Sequence, residues 1–243
     1  MRAAPRAAAG LMLAGALALA GCEQLMPVTA ERPEDALEFP QPDRPVAKVV
    51  STQFANEDAR EERNEAKVVM DLADIRPGMT VADIGAGEGY YTVRLAERVG
   101  ADGRVLAQDI SRDALERLGR RVEREWLENI SIKLGESADP QLPADSFDRI
   151  FMVHMYHEVT EPYAFLWRMW PALNADGQII VVESESPVGR HGLPHTLLFC
   201  EFEAVGYVLV EYIERPDIKG YFARFARGKA RTEPELIQPC NRG

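Results

Sequence analysis

Cysteine and positive charge are both scarce in this chain of 243 residues. The three cysteines, Cys22, Cys200 and Cys240, are too few for a disulfide-rich scaffold and lack the spacing of a zinc finger. Acidic residues outnumber basic ones by 39 to 28, which gives a formal net charge of −11. This balance disfavours nucleic acid as a partner, because binding its backbone requires lysine and arginine. A composition that is 46% hydrophobic and 28% charged excludes a wholly disordered chain and predicts a globular one.

The longest apolar run lies near the amino terminus and is short for a transmembrane helix. Ala7–Ala20 is a 14-residue run that follows the basic Met1–Arg6, whereas a spanning helix needs about 20 apolar residues. This order of segments is typical of a secretory signal. Its end, Leu19-Ala20-Gly21-Cys22, resembles the lipobox of bacterial lipoproteins. The resemblance implies removal of residues 1–21, acylation of Cys22 and a lipid-anchored protein that faces the periplasm. The alternatives are a plain signal peptide with an incidental cysteine, or a misassigned start codon.

The rest of the chain divides into a tether, one domain and a tail. Residues 22–50 are rich in proline and have little apolar periodicity, which predicts a tether. Residues 51–227 carry the patterns of a folded domain, and the polar residues 228–243 predict a loose tail. Cys200 and Cys240 could form a disulfide outside the cytoplasm. Cys200 also fits a buried helix face and Cys240 a free tail, so both interpretations stay open.

Strand and helix patterns alternate along the domain. Seven apolar runs predict the strands Thr80–Ile84, Arg104–Gln108, Ile130–Leu134, Phe147–Val153, Gln178–Val182, Tyr207–Ile213 and Tyr221–Phe225. Amphipathic stretches predict the helices Glu57–Ala73, Tyr91–Val99, Arg112–Glu125, one from Val159–Pro162 to Leu173, and Thr196–Val205. Five strand–helix units followed by two strands predict an α/β fold with a doubly wound, mainly parallel, seven-stranded sheet and an antiparallel edge strand. A ligand would bind at the carboxyl ends of the strands, where the strand order reverses.

A glycine-rich loop follows the first predicted strand. Its sequence is Asp83-Ile84-Gly85-Ala86-Gly87-Glu88-Gly89, and glycines at this position let the backbone turn sharply and approach a ligand closely. The third glycine comes one residue too early for a dinucleotide fingerprint, which would need glycine where Tyr90 stands. The Gly-Lys-Ser/Thr sequence of a P-loop is missing as well. An acid beside the loop would repel pyrophosphate, but it suits a ligand that carries ammonium and sulfonium groups.

The pattern Asp83-x-Gly85-x-Gly87-x-Gly89 resembles motif I of the class I S-adenosylmethionine (SAM) dependent methyltransferases, which have a Rossmann-like fold. The resemblance extends over about residues 60–226. It implies that SAM is the cofactor and that Asp109, at the end of the second strand, binds both ribose hydroxyls. One carboxylate can accept two parallel hydrogen bonds from such a diol. Glu136 takes the place of the acid that meets the adenine, and His154 would approach the methionine end.

The cofactor-binding residues implied by the resemblance are Asp83, Gly85, Ala86, Gly87, Gly89, Tyr90, Asp109, Ile110, Glu136, Ser137 and His154. In this family the element before motif I often forms a lid, which here would bring Arg60 or Arg63 towards a carboxylate.

Catalytic residues are harder to predict, because SAM is already activated and the protein mainly positions the acceptor and excludes water. We predict that His157 acts as the general base, while Tyr156 or Glu158 shapes the acceptor pocket. A structural role for His157 is the alternative. We assign no metal ion. A divalent ion between His154, His157, Glu158, His191 and His195 is disfavoured, since loops at strand ends need not converge.

The two resemblances conflict over location, because SAM is made in the cytoplasm while the signal would export the domain. Three explanations stay open: SAM reaches that compartment, the protein binds a related nucleoside without catalysis, or some of the protein stays inside. The favoured interpretation is a methyltransferase for an unidentified small molecule. The alternative is a non-catalytic lipoprotein that binds SAM or a related adenosyl nucleoside. The sequence contains no pattern that identifies the acceptor or the oligomeric state.

Overall fold

A computed structural model describes residues 31–47 and 56–240. From Arg32 onward these residues belong to one compact unit. The predicted signal peptide 1–21, Cys22 and the remaining parts of the tether lie outside the described residues. None of the helices in the described ranges has both the length and the apolar composition needed to cross a bilayer.

Seven strands form one mixed sheet in the order β3-β2-β1-β4-β5-β7-β6. They are β1 (Thr80–Ile84), β2 (Arg104–Asp109), β3 (Ile130–Leu134), β4 (Phe147–Val153), β5 (Leu173–Glu183), β6 (Tyr207–Arg215) and β7 (Gly220–Arg227). The first five strands pair in parallel, and β7 pairs antiparallel to both of its neighbours. The predicted fold class is therefore confirmed. The antiparallel strand lies one position inside the edge, because β6 pairs along its outer side.

Within the described residues, six α-helices and several short 3₁₀ helices precede, connect or follow the strands. The α-helices are α1 (Glu57–Glu61), α2 (Glu65–Leu72), α3 (Tyr90–Val99), α4 (Arg112–Glu125), α5 (Pro162–Met169) and α6 (His195–Val205). The 3₁₀ helices are Glu34–Ala36, Tyr156–Glu158, Trp170–Ala172, Val188–Arg190, Pro216–Ile218 and Pro234–Leu236. The helix predicted over Glu57–Ala73 is divided in two, because Asn64 adopts a left-handed φ of +53°. The helix predicted to reach Leu173 ends at Met169, since Pro171 has no N–H to continue it.

The helices cover both faces of the sheet. Successive residues of a strand point to opposite faces, and accordingly Val81 packs among α2 and α3 while Ala82 packs on the side of α5 and α6. The same alternation places Ile180 on the side of α2 and α3 and Ile179 on the side of α5 and α6. This arrangement leaves the carboxyl ends of the parallel strands at one edge of the sheet, where the loops can form a site.

The segment predicted as a tether packs against the domain over residues 32–47, which we call the N-terminal strap. The Arg32 guanidinium binds both oxygens of Glu161, at 2.8 and 2.6 Å. Phe39 is buried and contacts Trp167 edge to face. Arg44 is 5% exposed, and its Nε lies 2.8 Å from Glu201 Oε1. The prediction is wrong for these residues, because single buried side chains hold the strap without any apolar periodicity.

The prediction of a loose tail is also wrong for residues 229–240, which we call the C-terminal segment. Ile237 and Cys240 are buried, and Cys240 forms a disulfide with Cys200 on α6. The Cys240 N–H donates to the Tyr163 hydroxyl at 2.7 Å. Trp167 donates its indole N–H to the Thr232 carbonyl at 3.0 Å. A covalent bond and buried contacts thus replace the disorder that the polar composition predicted.

Candidate active site

The glycine loop lies where the strand order reverses, between the carboxyl ends of β1 and β4. Gly85, Gly87 and Gly89 have φ values of +68°, +56° and +88°, which side chains rarely adopt. A Cβ on Gly85 would lie 2.9 Å from Met155 Cγ, so this glycine allows the loop after β4 to approach. A Cβ on Gly87 would meet no atom of the described residues within 4 Å. The backbone at Gly87 therefore faces open space, as a surface for a bound ligand would.

Asp109 ends β2 directly beside this loop. Its Oδ2 accepts a hydrogen bond of 2.9 Å from the Gly87 N–H, and its Oδ1 accepts one of 2.8 Å from the Ser111 N–H. The side chain is half-buried, so its remaining lone pairs can reach a ligand. The next residue, Ile110, is 47% exposed and offers an apolar surface at the same strand end. The structure therefore brings the predicted ribose-binding acid and the glycine loop into direct contact.

Asp83 lies beneath the loop, where it is 3% exposed. Its Oδ2 accepts a hydrogen bond of 2.6 Å from the Thr92 hydroxyl on α3. Burial raises the pKa of Asp83 to about 6, although the Thr92 hydrogen bond and the charge of Arg60 oppose the increase. Asp83 thus joins the first turn of α3 to β1, the strand that precedes the glycine loop.

Glu136 and Ser137 follow β3, in a loop that is joined to β2. The Gly135 N–H donates to the Asp109 carbonyl at 3.0 Å. The Glu136 carboxylate is exposed and accepts from the Gln141 side chain at 2.8 Å, while Ser137 is half-buried. Their position next to Asp109 fits the predicted place of the adenine.

Helices α1 and α2 pack over the residues that follow the glycine loop. The Tyr90 hydroxyl donates to Glu61 at 2.9 Å, and the Arg60 guanidinium lies 3.9 Å from the centre of the Tyr90 ring. Arg60 also binds Glu65 Oε1 through its Nη2 at 2.6 Å. The predicted lid element therefore contains an Arg60 ion pair, although its partner belongs to the same element.

Glu65 is the acid at the centre of this packing, and the sequence patterns did not single it out. It is fully buried, and its Oε1 lies 3.3 Å from the Tyr91 hydroxyl and 3.4 Å from Nε2 of His154. Burial by itself would raise the pKa of Glu65, but hydrogen bonds and charge from His154 and Arg60 lower it to about 2. His154 thus faces α2, and its backbone has a left-handed φ of +54°.

Tyr156 points into the core, which gives no support to its predicted role in shaping the acceptor pocket. The side chain is fully buried, and its hydroxyl donates to Glu201 Oε2 at 2.8 Å. Arg44 Nη2 donates to the Tyr156 carbonyl at 3.3 Å. Tyr156 therefore points into the core below α6, where it helps to hold the N-terminal strap. Residues one apart in a 3₁₀ turn face different ways, and the sequence did not show which one faces the site.

His157 is held by Glu183, the last residue of β5. Its Nδ1 lies 3.0 and 2.9 Å from the two Glu183 oxygens, and both side chains are buried. Burial would lower the pKa of His157, but the hydrogen bond and the charge of Glu183 raise it above its usual value. Glu183 terminates the apolar run Ile-Ile-Val-Val, and an acid in that position signals a buried partner.

The four histidines do not converge on one point. His154 contacts Glu65, and His195 Nδ1 lies 3.1 Å from Glu185. The ligand atoms of His157, Glu158 and His191, in contrast, all lie within 4.8 Å of one another. These three residues could hold a metal ion, and among the described residues they are the one group of this kind.

Comparison with known proteins finds similarity to methyltransferases. Residues 81–177 match the family model described as "Methyltransferase domain". Nocamycin O-methyltransferase of Saccharothrix syringae is 38% identical over 86 residues, which are 35% of this chain and 31% of that protein. The ubiquinone/menaquinone biosynthesis C-methyltransferase UbiE of Teredinibacter turnerae is 30% identical over 123 residues, which are 50% of this chain and 49% of that protein. The chain thus spans less than half the length of these two curated relatives.

The fold has close counterparts among solved structures. A SAM dependent methyltransferase from Aquifex aeolicus aligns with a TM-score of 0.66 and 23% identity, over 73% of this chain and 98% of that one. The fold is the class I, Rossmann-like methyltransferase fold, with β7 antiparallel in the order given above. The segment that matches the family model contains the glycine loop and Asp109 but ends before Glu183 and His191.

Proposed function

We propose that this chain, which has the class I methyltransferase fold, binds SAM and transfers its methyl group to a small molecule. The observation that carries the proposal is the contact between Asp109 and Gly87 at the point where the strand order reverses. An acid at the tip of the second strand and an open, side-chain-free backbone beside it form the two halves of an adenosyl site.

The residues present fit the cofactor. Asp109 would accept hydrogen bonds from the ribose hydroxyls, and the backbone around Gly87 would lie along the methionine portion. Ile110 would contact the adenine, with Glu136 and Ser137 at its edge. Bound SAM supplies an activated methyl group, so the chain's own task is to orient the acceptor and exclude water. Tyr90 and His154, both packed beneath α1 and α2, would close the site on the methionine side.

The acceptor would bind beyond the carboxyl ends of β4 and β5, beside His157 and Glu158. These residues follow β4 and lie near His191, which follows β5. A small-molecule acceptor is supported by the names of the relatives, one an O-methyltransferase for nocamycin and one a C-methyltransferase of quinone biosynthesis. The net charge of −11 disfavours a nucleic-acid substrate.

An exported, lipid-anchored location is part of the proposal. The lipobox-like sequence ends at Cys22, and the other two cysteines of the sequence pair with each other. Disulfides persist in oxidising compartments such as the periplasm and are rare in the cytosol.

The test is titration calorimetry of the oxidised protein with SAM and with its demethylated product, followed by incubation of metabolite extracts with isotope-labelled SAM. We expect binding of both nucleosides and a labelled small-molecule product. Asp109→Ala should weaken SAM binding by about 100-fold, since it removes two hydrogen bonds to a charged acceptor. Asp113→Ala, an exposed acid four residues further on, is the matched control and should bind normally.

Two results would change the conclusion. Binding of both nucleosides without a methylated product in any extract would favour the non-catalytic binding module. Unchanged SAM affinity in Asp109→Ala would contradict the proposed cofactor position.

A further inference from the structure

We propose that His157, Glu158 and His191 form a binding site for one divalent transition-metal ion of the zinc class. Two imidazoles and one carboxylate form a common donor set for catalytic zinc, and similar sets bind iron(II). Here the donors come from the loops after two neighbouring parallel strands, β4 and β5. Their candidate ligand atoms lie within 4.8 Å of one another.

The spacing is close to what a metal ion requires. Zinc bonds of about 2.0 to 2.1 Å in a tetrahedron place the ligand atoms about 3.3 Å apart. The distance from Nε2 of His157 to Oε1 of Glu158 is 3.9 Å. His191 packs edge to face on His157, with 5.7 Å between the ring centres. Glu158 and His191 are only half-buried, so rotation of their side chains can close the difference while His157 stays in place.

Glu183 supplies an independent argument, because it prepares His157 to be a ligand. Metal-binding histidines almost always donate their second ring N–H to a carboxylate or carbonyl, which fixes the tautomer and the ring orientation. Both oxygens of Glu183 lie within 3.0 Å of Nδ1 of His157, and Oε1 also accepts from the His157 backbone N–H at 3.2 Å. A proton held on Nδ1 leaves the lone pair of Nε2 directed towards Glu158 and His191.

Charge at the cluster favours a cation. Glu183 is fully buried and Glu158 is partly buried, so two carboxylates flank one imidazole in a region of low dielectric. Buried carboxylates need a compensating charge. Arg44 donates to the His157 backbone carbonyl at 3.4 Å, and its guanidinium is paired with Glu201. A divalent ion on Nε2 would balance both acids.

Three protein ligands leave one coordination position open, as in catalytic zinc sites. In the class I fold described above, that position would face the acceptor side, and an acceptor oxygen could occupy it. This role rests on the proposed methyl transfer, whereas metal binding does not. It would also make His157 a ligand in place of the predicted general base.

The experiment is a titration of the whole, chelator-treated chain with Zn²⁺ by calorimetry and with Co²⁺ by visible absorption, without SAM. We expect one ion per chain and the absorption of a tetrahedral cobalt site. His191→Ala and Glu158→Gln should each weaken binding at least about 100-fold, and Glu183→Gln about 10- to 100-fold. His195→Ala is the matched control, because His195 also follows β5 but pairs with Glu185, and it should bind normally.

Folding of each variant is checked by circular dichroism, and Zn²⁺ should raise the Tm of the parent and of His195→Ala but not that of His191→Ala. The proposal is overturned if the parent binds no stoichiometric ion, or if His195→Ala loses as much affinity as His191→Ala. A separate SAM titration in chelator tells the two proposals apart. SAM binding with no metal site overturns only the inference made here, and a metal site without SAM binding overturns only the proposed function.

Discussion

The Glu65 carboxylate lies 3.4 Å from Nε2 of His154, which joins α2 to the loop that follows β4. Arg60 completes the contact from α1. Two short helices that precede the sheet in sequence are thereby attached to the edge where the cofactor would bind. The attachment is electrostatic and nearly water-free, so it tolerates the loss of a partner poorly.

Glu65→Gln should therefore destabilise the protein by about 3 kcal/mol, because it leaves the buried Arg60 charge without its carboxylate. Urea-induced unfolding measures the loss. Asp71→Asn is the control, because Asp71 lies on the exposed side of the same helix, where it pairs with Lys67 of α2 and Arg98 of α3. This substitution should cost about 1 kcal/mol or less. Equal losses of unfolding free energy in the two variants would contradict a larger contribution from the buried pair than from the surface pairs.

Asp83 should make stability depend on pH between about 4 and 6. Its pKa is raised to about 6 in the folded protein by burial, against an ordinary value of 3.8. The folded state therefore holds the proton more tightly, and the stability that this provides is present below pH 4 and lost as the pH rises through 6. Asp83→Asn should remove this component, worth about 3 kcal/mol.

Unfolding free energies of parent and Asp83→Asn, measured at intervals across this range, test the prediction. The amide oxygen of the variant can still accept from the Thr92 hydroxyl, and the charge of Arg60 is present in both proteins, so the comparison isolates the titration of the carboxyl group. A difference between the two proteins that stays constant with pH would contradict the raised pKa.

Gly87→Ala should weaken SAM binding about 10-fold or more while costing about 1 kcal/mol of stability. The left-handed φ accounts for the loss of stability, and a Cβ in the space next to the loop accounts for the loss of SAM affinity. Gly78→Ala is matched to it, because Gly78 has a φ of +84° and, within the described ranges, no atom within 4 Å of its Cβ position. Gly78 precedes β1, at the opposite end of that strand, so its variant should share the stability loss and bind SAM normally.

Cys240→Ser should lower the free energy of unfolding by about 4 kcal/mol, since the disulfide closes a loop of 40 residues. Cys200→Ser should have the same effect, and the double variant should lose nothing more. Dithiothreitol should destabilise the parent and leave all three variants unchanged. Denaturation curves with and without the reductant provide the comparison, and insensitivity of the parent would mean that the bond does not form.

The central strands β1 and β4 were predictable because their apolar runs are buried on both faces, and β1, β3 and β4 begin and end at the predicted residues. β5 starts five residues before its predicted start, since Leu173–Gly177 carries polar residues that indicate a turn. The strap and the C-terminal segment were missed for a different reason. Phe39 and Ile237 are isolated apolar residues, and only tertiary contacts make them part of the core.

The site was predictable where a motif fixes the backbone, as at Gly87 and Asp109. It was less predictable where side-chain direction decides. Tyr156 and His157 are adjacent, yet one enters the core and the other meets Glu183. Glu65 was hidden within a run of charges typical of a solvated helix face, because charge patterning does not reveal which member turns inward.

Consecutive residues of α6 receive both ends of the described domain. Cys200 binds the C-terminal segment covalently, and Glu201 holds the strap through Arg44. One helical turn thus couples the strap to the C-terminal segment, because unwinding it would separate Arg44 from Glu201 and displace the disulfide-bonded Cys240 in the same event. Amide protons of the strap and of the C-terminal segment would then exchange with solvent as a single cooperative unit.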